Sequence, residues 1–320
     1  MNRKVFTSYA FLLTAFFSGC NYSIDSQAVS APEVRPTREA ALDDKRANEL
    51  RSRIEQIASA AKGRVGVAAT VLETGESVSL NAREHFPMQS VYKLPIGMAV
   101  LRLVDAGRIK LAERVVVEKS DFVRQGQHSP IRDKNPEGVE LSVEEILRFA
   151  VSESDGTASD VLFRLGGGGD AIGKYLAELK VNEMIVANTE KEIGRDWDTQ
   201  YRNWASPDGA VALLRALHER RGGLSAPSQT LLLKMMIESP TGQKRLKGLL
   251  PAGTVVAHKT GTSGTLKGIT AATNDIGIVT LPDGRHLAIA VFVSDSPADG
   301  ATREEVIAKV ARAVFDGLAR

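Results

Sequence analysis

Strand patterns stand at both ends of this chain and helical patterns fill its middle. That distribution limits the fold more than any other feature. Two strands are predicted early, Val65–Leu72 and Ser77–Leu80, joined by a turn at Glu73-Thr74-Gly75-Glu76. Strand character returns late, at Thr254–Thr262, Thr270–Leu281 and His286–Val293. Pro282-Asp283-Gly284-Arg285 between the last two is a strong hairpin signal. In between, helices are expected at Val143–Val151, Ser159–Leu165, Ala171–Leu179, Gly209–Glu219 and Ser228–Ile237. A helix over about 45–62 carries the stripe Leu50, Ile54, Ile57, Ala58 and Ala61. A last helix, read as opening on the capping box Thr302-x-x-Glu305, buries Val306, Ile307, Val310, Ala311, Val314 and Phe315. The simplest assembly is an α/β (α+β) fold. One antiparallel sheet, formed by both chain ends and covered by the terminal helices, receives an inserted all-helical lobe. The cleft between sheet edge and lobe is the default active site.

The bulk properties exclude several function classes. The chain has 320 residues and a formal net charge of +2, with no basic cluster, so nucleic acid is not an expected partner. The five histidines (His85, His128, His218, His258, His286) show no metal-ligand spacing, and Cys20 is the only cysteine. Neither a metal nor any other cofactor is expected, and no intrachain disulfide can form. Met1–Lys4 is basic and an apolar run follows to Phe17, too short to span a membrane, so residues 1–19 read as a signal peptide. Ser18-Gly19-Cys20 resembles a bacterial lipobox, with Phe17 in place of the usual leucine. That resemblance implies cleavage before Cys20 and lipid on its thiol. The alternative is ordinary cleavage nearby. Residues 20–44 are Ser/Ala/Pro-rich and polar, and read as a flexible tether; residues 45–320 read as the folded domain. The expectation is a periplasmic monomer that touches the membrane only through that lipid.

The chemistry centres on Ser90-Val91-Tyr92-Lys93, at the start of a buried helix marked by Leu94, Ile96, Met98, Leu101 and Leu103. A helix start favours negative charge, and a lysine one turn on can lose its proton in a dry site and serve as a base. The pattern alone is weak: Ser59-Ala60-Ala61-Lys62 matches it too, but ends a helix at Gly63 and reads as a solvated end. A near-match to a phosphate loop, Gly168-x-x-x-x-Gly173-Lys174, lacks the following Ser or Thr and follows a helical pattern, so Gly166–Gly169 reads as a helix stop. What gives Ser90 weight is order. Ser154-Asp155-Gly156 and then Lys259-Thr260-Gly261-Thr262 follow it along the chain.

S-x-x-K, S-D-N and K-T-G in this order mark serine penicillin-recognising enzymes. Over about residues 45–320 the chain resembles a class A serine β-lactamase. Gln200-Tyr201-Arg202-Asn203-Trp204 and the stretch Arg245–Gly253 resemble the PER-type and VEB-type branch. The resemblance implies hydrolysis of β-lactam antibiotics, oxyimino-cephalosporins included, with β-lactam substrates and inhibitors as the partners. It casts Ser90 as nucleophile, Lys93 as its activator and Ser154 as the donor to the leaving nitrogen. The backbone N–H groups of Ser90 and Thr262 form the oxyanion hole. Lys259, Thr260 and Thr262 bind the substrate carboxylate, and Gly261 lets the acylamide lie against the strand. Arg245 is either a second cation for that carboxylate or a surface arginine. The deacylating base is Glu190, ten residues before Gln200, with Glu192 as runner-up. The other readings are a D-alanyl-D-alanine peptidase and a penicillin sensor, both lacking rapid deacylation.

The chain also departs from the family pattern. Gly156 replaces an Asn, which removes an amide contact to substrate, and Gly194 replaces an Asn that helps hold water. Asn188 and Asn203 stand where an ion pair pins the catalytic loop, so the path of that loop stays open. His128 stands where an aromatic lines the pocket mouth, and either stacks there or is an exposed loop residue.

Overall fold

The computed structural model describes residues 44–319. The expectations for the signal peptide, Cys20 and the tether to residue 43 lie outside them. The helices are α1 (Asp44–Ala58), α2 (Lys93–Asp105), α3 (Pro130–Lys134), α4 (Val143–Val151), α5 (Gly156–Leu165), α6 (Gly168–Glu178), α7 (Glu190–Ile193), α8 (Pro207–His218), α9 (Ala226–Ile237) and α10 (Gly300–Leu318). The main sheet comprises β1 (Arg64–Val71), β2 (Ser77–Leu80), β8 (Val256–Thr262), β9 (Thr265–Leu266), β10 (Ile269–Thr280) and β11 (His286–Ser296). Short strands β3 (Phe86–Pro87), β6 (Met184–Ile185) and β7 (Trp204–Ala205) form a second sheet, and β4 (Arg114–Val117) pairs with β5 (Val139–Ser142).

The main sheet runs β2-β1-β11-β10-β8, antiparallel throughout, so the first and last strands of the chain meet at its centre. Ala68 faces Ala290, and Ile276 faces both Ala290 and Lys259. Period-two alternation explains the two layers. Val65, Val67, Ala69 and Val71 on β1, with Leu287, Ile289, Val291 and Val293 on β11, join the core beneath α1 and α10. Ala68, Ala288, Ala290 and Phe292 point the other way, into the core shared with the helical lobe. The three alanines let α8 pack directly on β1 and β11. Gly66 is required there, because a Cβ would lie 2.4 Å from the Phe86 ring.

The lobe is built around α2, whose residues Leu94, Ile96, Met98, Val100 and Leu101 are all fully buried. A helix apolar on every side must be enclosed, and α4, α5, α6 and α9 surround it. No helix of the described residues is long and apolar enough to cross a membrane.

The predicted elements appear with small shifts at their ends. Val143–Val151 and Ser77–Leu80 carry the bounds read from sequence, and the 282–285 turn closes the β10–β11 hairpin with Gly284 at φ 87°. Two readings are corrected. The last helix starts at Gly300, and Asp299, not Thr302, caps it by accepting the Thr302 N–H at 2.7 Å. Ser90 lies in a 3-10 turn, Gln89–Tyr92, and the α-helix begins only at Lys93. The phosphate-loop near-match falls within α6, which follows another helix rather than a strand. Lys62 ends its helix in the left-handed region at φ 51°, and Ser59 Oγ donates to the Gln56 carbonyl, as fits a solvated helix end.

Candidate active site

The turn carrying Ser90 is held from three sides. Gln89 adopts φ 47°, a left-handed conformation that a side chain enters only when its surroundings impose it. Its amide donates to Gln200 Oε1 at 2.7 Å, and Asn274 Nδ2 donates to the Pro87 and Met88 carbonyls at 2.8 and 3.2 Å. Lys93, one turn after Ser90, is 1% exposed and can satisfy its ammonium only locally. It donates to Ser90 Oγ at 2.6 Å and to Glu190 Oε2 at 2.9 Å.

Glu190 opens α7 and takes a second bond from Tyr92, whose hydroxyl donates to the same Oε2 at 2.6 Å. Burial opposes the charge of Glu190, but the Lys93 ammonium and the bonds from Tyr92 and Lys93 outweigh it and hold the carboxyl below its usual range. Burial and that neighbouring carboxylate push Tyr92 up, which keeps its hydroxyl a donor. Glu192 is engaged elsewhere. It is the third residue of α7 and accepts the backbone N–H of Thr189 at 2.9 Å, while Thr189 Oγ1 accepts the Glu192 N–H. This reciprocal cap uses its carboxylate locally.

On the opposite wall, Lys259 on β8 is fully buried and donates to Ser154 Oγ at 2.9 Å. Burial, and then the Lys93 charge, lower its pKa well below that of an ordinary lysine. Ser154 sits at φ 62°, directly before the N-cap of α5. Asp155 is that cap: it accepts the N–H groups of Ala158 at 2.9 Å and Ile131 at 2.7 Å. The middle residue of the second motif therefore aims Ser154 by capping its helix. Ser90, His128, Ser154, Glu190 and Thr262 all line one cleft of about 600 Å³. A nucleophile, a buried amine, an ionised carboxylate and a second hydroxyl on an amine are parts suited to acyl transfer.

A family model described as the β-lactamase enzyme family matches residues 49–318. The chain belongs to the class A serine β-lactamases. It is 46% identical over 268 residues to the extended-spectrum β-lactamase PER-1 of Pseudomonas aeruginosa, covering 83% of this chain and 86% of that protein. To β-lactamase VEB-1 of the same organism it is 38% identical, covering 83% and 89%. Among solved structures, the TLA-3 extended-spectrum β-lactamase aligns with a TM-score of 0.82 at 44% identity, over 86% of this chain and 100% of that one. A β-lactamase from Chitinophaga pinensis DSM 2588 gives 0.81 at 47%, over 84% and 99%.

Several site residues of this β-lactamase sit differently from the sequence expectation. Arg245 is neither a surface arginine nor a free cation. Its guanidinium is buried, donates to Thr262 Oγ1 at 2.7 Å and to the Gly261 and Asn274 carbonyls at 3.2 and 2.9 Å, and pairs with Glu304 at 3.1 Å. The Thr260 hydroxyl is within hydrogen-bond distance of Thr241 Oγ1 at 2.8 Å. A Cβ on Gly261 would lie 2.2 Å from the Met88 carbonyl, so the nucleophile's own turn demands glycine there. His128 is exposed at the cleft mouth, with Nε2 2.8 Å from the Glu153 carbonyl.

The loop left open by the missing ion pair has other pins. Buried Asn203 accepts the Ala187 and Asn188 N–H groups through Oδ1 and donates to the Asn188 carbonyl, each at 2.8 Å. Asp160 on α5 accepts the Glu190 N–H at 2.6 Å and the Lys191 N–H at 3.0 Å. Where Gly194 replaces Asn, the Gln127 side chain fills the space and donates to the Glu190 carbonyl. Sequence reasoning missed Tyr92, Gln127 and Asp160. The only available signal was their proximity to motif residues.

Proposed function

We propose that this protein hydrolyses β-lactam antibiotics through an acyl-enzyme on Ser90, with Glu190 activating the water that splits it. The observation that carries this reading is the chain of contacts from Ser90 Oγ to Lys93 Nζ to Glu190 Oε2, 2.6 and 2.9 Å long. Ser90 Oγ attacks the lactam carbonyl carbon, and its proton leaves through water to Glu190, or to Lys93 once that ammonium has passed a proton of its own to Glu190 across their 2.9 Å contact. The N–H groups of Ser90 and Thr262 receive the oxyanion. As the C–N bond breaks, Ser154 protonates the lactam nitrogen, and Lys259 supports that transfer across 2.9 Å. Lys259 and Thr262 bind the substrate carboxylate. Arg245 acts through Thr262, which it orients, and adds its charge from behind β8.

Deacylation is what separates this reading from a peptidase or a sensor. A water loses its proton to Glu190, its oxygen bonds to the ester carbon, and Ser90 Oγ departs with a proton. The low pKa of Glu190 keeps it ready as a base at neutral pH. Names of relatives such as extended-spectrum β-lactamase PER-1 support oxyimino-cephalosporins among the substrates. Residues 1–19 as signal peptide and the Ser18-Gly19-Cys20 motif support export to the periplasm and a lipid anchor on Cys20. Globomycin, which blocks lipoprotein signal cleavage, should cause the precursor to accumulate.

The test of the mechanism is intact-protein mass spectrometry during turnover of a chromogenic cephalosporin. Wild type should turn over many equivalents. Ser90→Ala should show no adduct, and Glu190→Ala should release about one equivalent and then persist as acyl-enzyme. An adduct on Ser90→Ala, or normal turnover by Glu190→Ala, would overturn these roles. A wild type that stalls after one equivalent would establish the sensor or peptidase instead.

A further inference from the structure

We propose that Glu73, His218 and His286 form a binding site for one divalent transition-metal ion of the zinc type, at the end of the sheet away from the cleft. The three residues come from separate segments: Glu73 from the β1–β2 turn, His218 from the last position of α8, and His286 from the first position of β11. Sequence spacing could not reveal them, because only the fold brings them together.

Their donor atoms all lie within 4.8 Å of one another. Glu73 is already oriented. Its Oε2 accepts the His286 backbone N–H at 2.9 Å, which leaves Oε1 2.7 Å from His286 Nδ1 and 3.9 Å from His218 Nε2. The two imidazole rings stand 4.6 Å apart at 47°. Tetrahedral zinc with bonds of about 2.0–2.1 Å needs ligand atoms roughly 3.4 Å apart. The two separations to Glu73 must open and close by well under an ångström, and the two histidine nitrogens, within 4.8 Å of each other, must draw together towards the same spacing, which χ rotations of half-exposed side chains supply. A surface ion pair needs only one histidine. The second imidazole on the same carboxylate oxygen is what a metal triad adds.

The donor chemistry selects the metal. Two imidazoles and one carboxylate suit zinc and its neighbours, whereas calcium and magnesium require oxygen ligands in larger number. An adjoining cavity of about 360 Å³, lined by His218, His286, Arg220 and Gln229, leaves room for water to complete the coordination. Of the cations around it, Arg215 is occupied by the Leu72 carbonyl at 3.3 Å and by Glu219 at 3.5 Å, and Arg285 by Asp283 at 2.5 Å and Glu76 at 3.2 Å, while Arg220 lines the cavity itself. None of the three ligands lines the catalytic cleft. The cavity meets β8 near Ala257, and the cleft meets the same strand at Thr262. The bound ion would clip α8 to both strand turns and leave the reaction untouched.

The test uses untagged protein, treated with chelator and dialysed, in calorimetric titration and thermal melts with Zn²⁺, Co²⁺, Mg²⁺ and Ca²⁺. One equivalent of Zn²⁺ should bind. At a hundredfold excess over Kd the melting temperature should rise by about 5 °C. Co²⁺ should develop the visible absorption of a nitrogen-ligated ion, and Mg²⁺ and Ca²⁺ should do nothing. His218→Ala, His286→Gln and Glu73→Gln should each weaken Zn²⁺ binding about tenfold or more. His85→Gln, at the other exposed histidine paired with a carboxylate (Glu183, 3.5 Å), should leave it unchanged. Unaltered kcat in His218→Ala will show that the variant folds. No stoichiometric uptake, an equal response to Mg²⁺, or full binding by His218→Ala and Glu73→Gln would overturn the proposal. So would loss of binding in His85→Gln.

Discussion

A Cβ on Gly156 would stand 2.8 Å from Glu190 Cγ and 3.2 Å from the His128 carbonyl. The glycine that replaces Asn in the second motif thus does more than remove an amide contact: it gives the carboxylate its place. Gly156→Asn should displace Glu190 and slow deacylation by roughly tenfold to a hundredfold, the cost of misplacing a reacting group by about an ångström. Stopped-flow measurement should find acyl-enzyme accumulating in the variant, with acylation less affected. The same substitution should raise clavulanate sensitivity if the missing amide also governs inhibitor binding, which an inhibition assay on the variant reads directly. Glu192→Ala removes a reciprocal cap, not a base. It should lose about 0.5–2 kcal/mol of stability in a denaturant melt while turnover continues. At this scale the sequence was legible where chemistry is local. Ser90 and Lys93 share one turn, and Ser154 and Lys259 stand in short motifs. Tyr92, Gln127 and Asp160 carry common side chains whose partners lie far along the chain, so no pattern marks them. Arg245 was visible as a charge, but its enclosure behind β8 was not.

The catalytic loop shows how an element can be fixed without its usual ion pair. Asn203 makes three bonds to the backbone of Ala187 and Asn188, and Asp160 receives two N–H groups at the start of α7. Burial is the main cause that raises the Asp160 carboxyl, to about 6; the two backbone N–H groups oppose it. A carboxyl whose folded pKa is raised binds its proton more tightly in the fold than in the open chain. Its contribution is therefore complete below the unfolded value of 3.8 and is lost as pH rises through about 6. Relative to Asp160→Asn, wild type should lose roughly 2 kcal/mol of stability between pH 4 and 7. Paired melts across that range read the difference, and parallel curves would refute it. Sequence periodicity revealed the longer helices and the long strands of the main sheet, because amphipathic repeats are written residue by residue, but not the short α3, α7, β4 and β5. It did not reveal the loop path, which is set by side-chain amides reaching bare backbone. The short strands β3, β6 and β7 were missed for a similar reason: two residues are too few to show alternation.

At the scale of the molecule, α10 closes one face of the sheet. Val306, Ile307, Val310 and Val314 are buried with Ile289, Val291 and Val293 on β11. Truncation before Gly300 would uncover that face and should prevent folding altogether, seen as lost ellipticity and lost turnover. The inference that the chain ends build one sheet was available from where the strand patterns lay. The order β2-β1-β11-β10-β8 was not, since alternation says which face a residue takes and nothing about its neighbour. That order has a temporal side. β1 is synthesised early, yet of its two partners only β2 is close behind; β11 is among the last segments made. Such distant pairing is slow, because a long loop must close before it is rewarded. A growing chain of this kind cannot lock prematurely. Its central sheet, and the cleft that the sheet borders, can close only once nearly all of it exists.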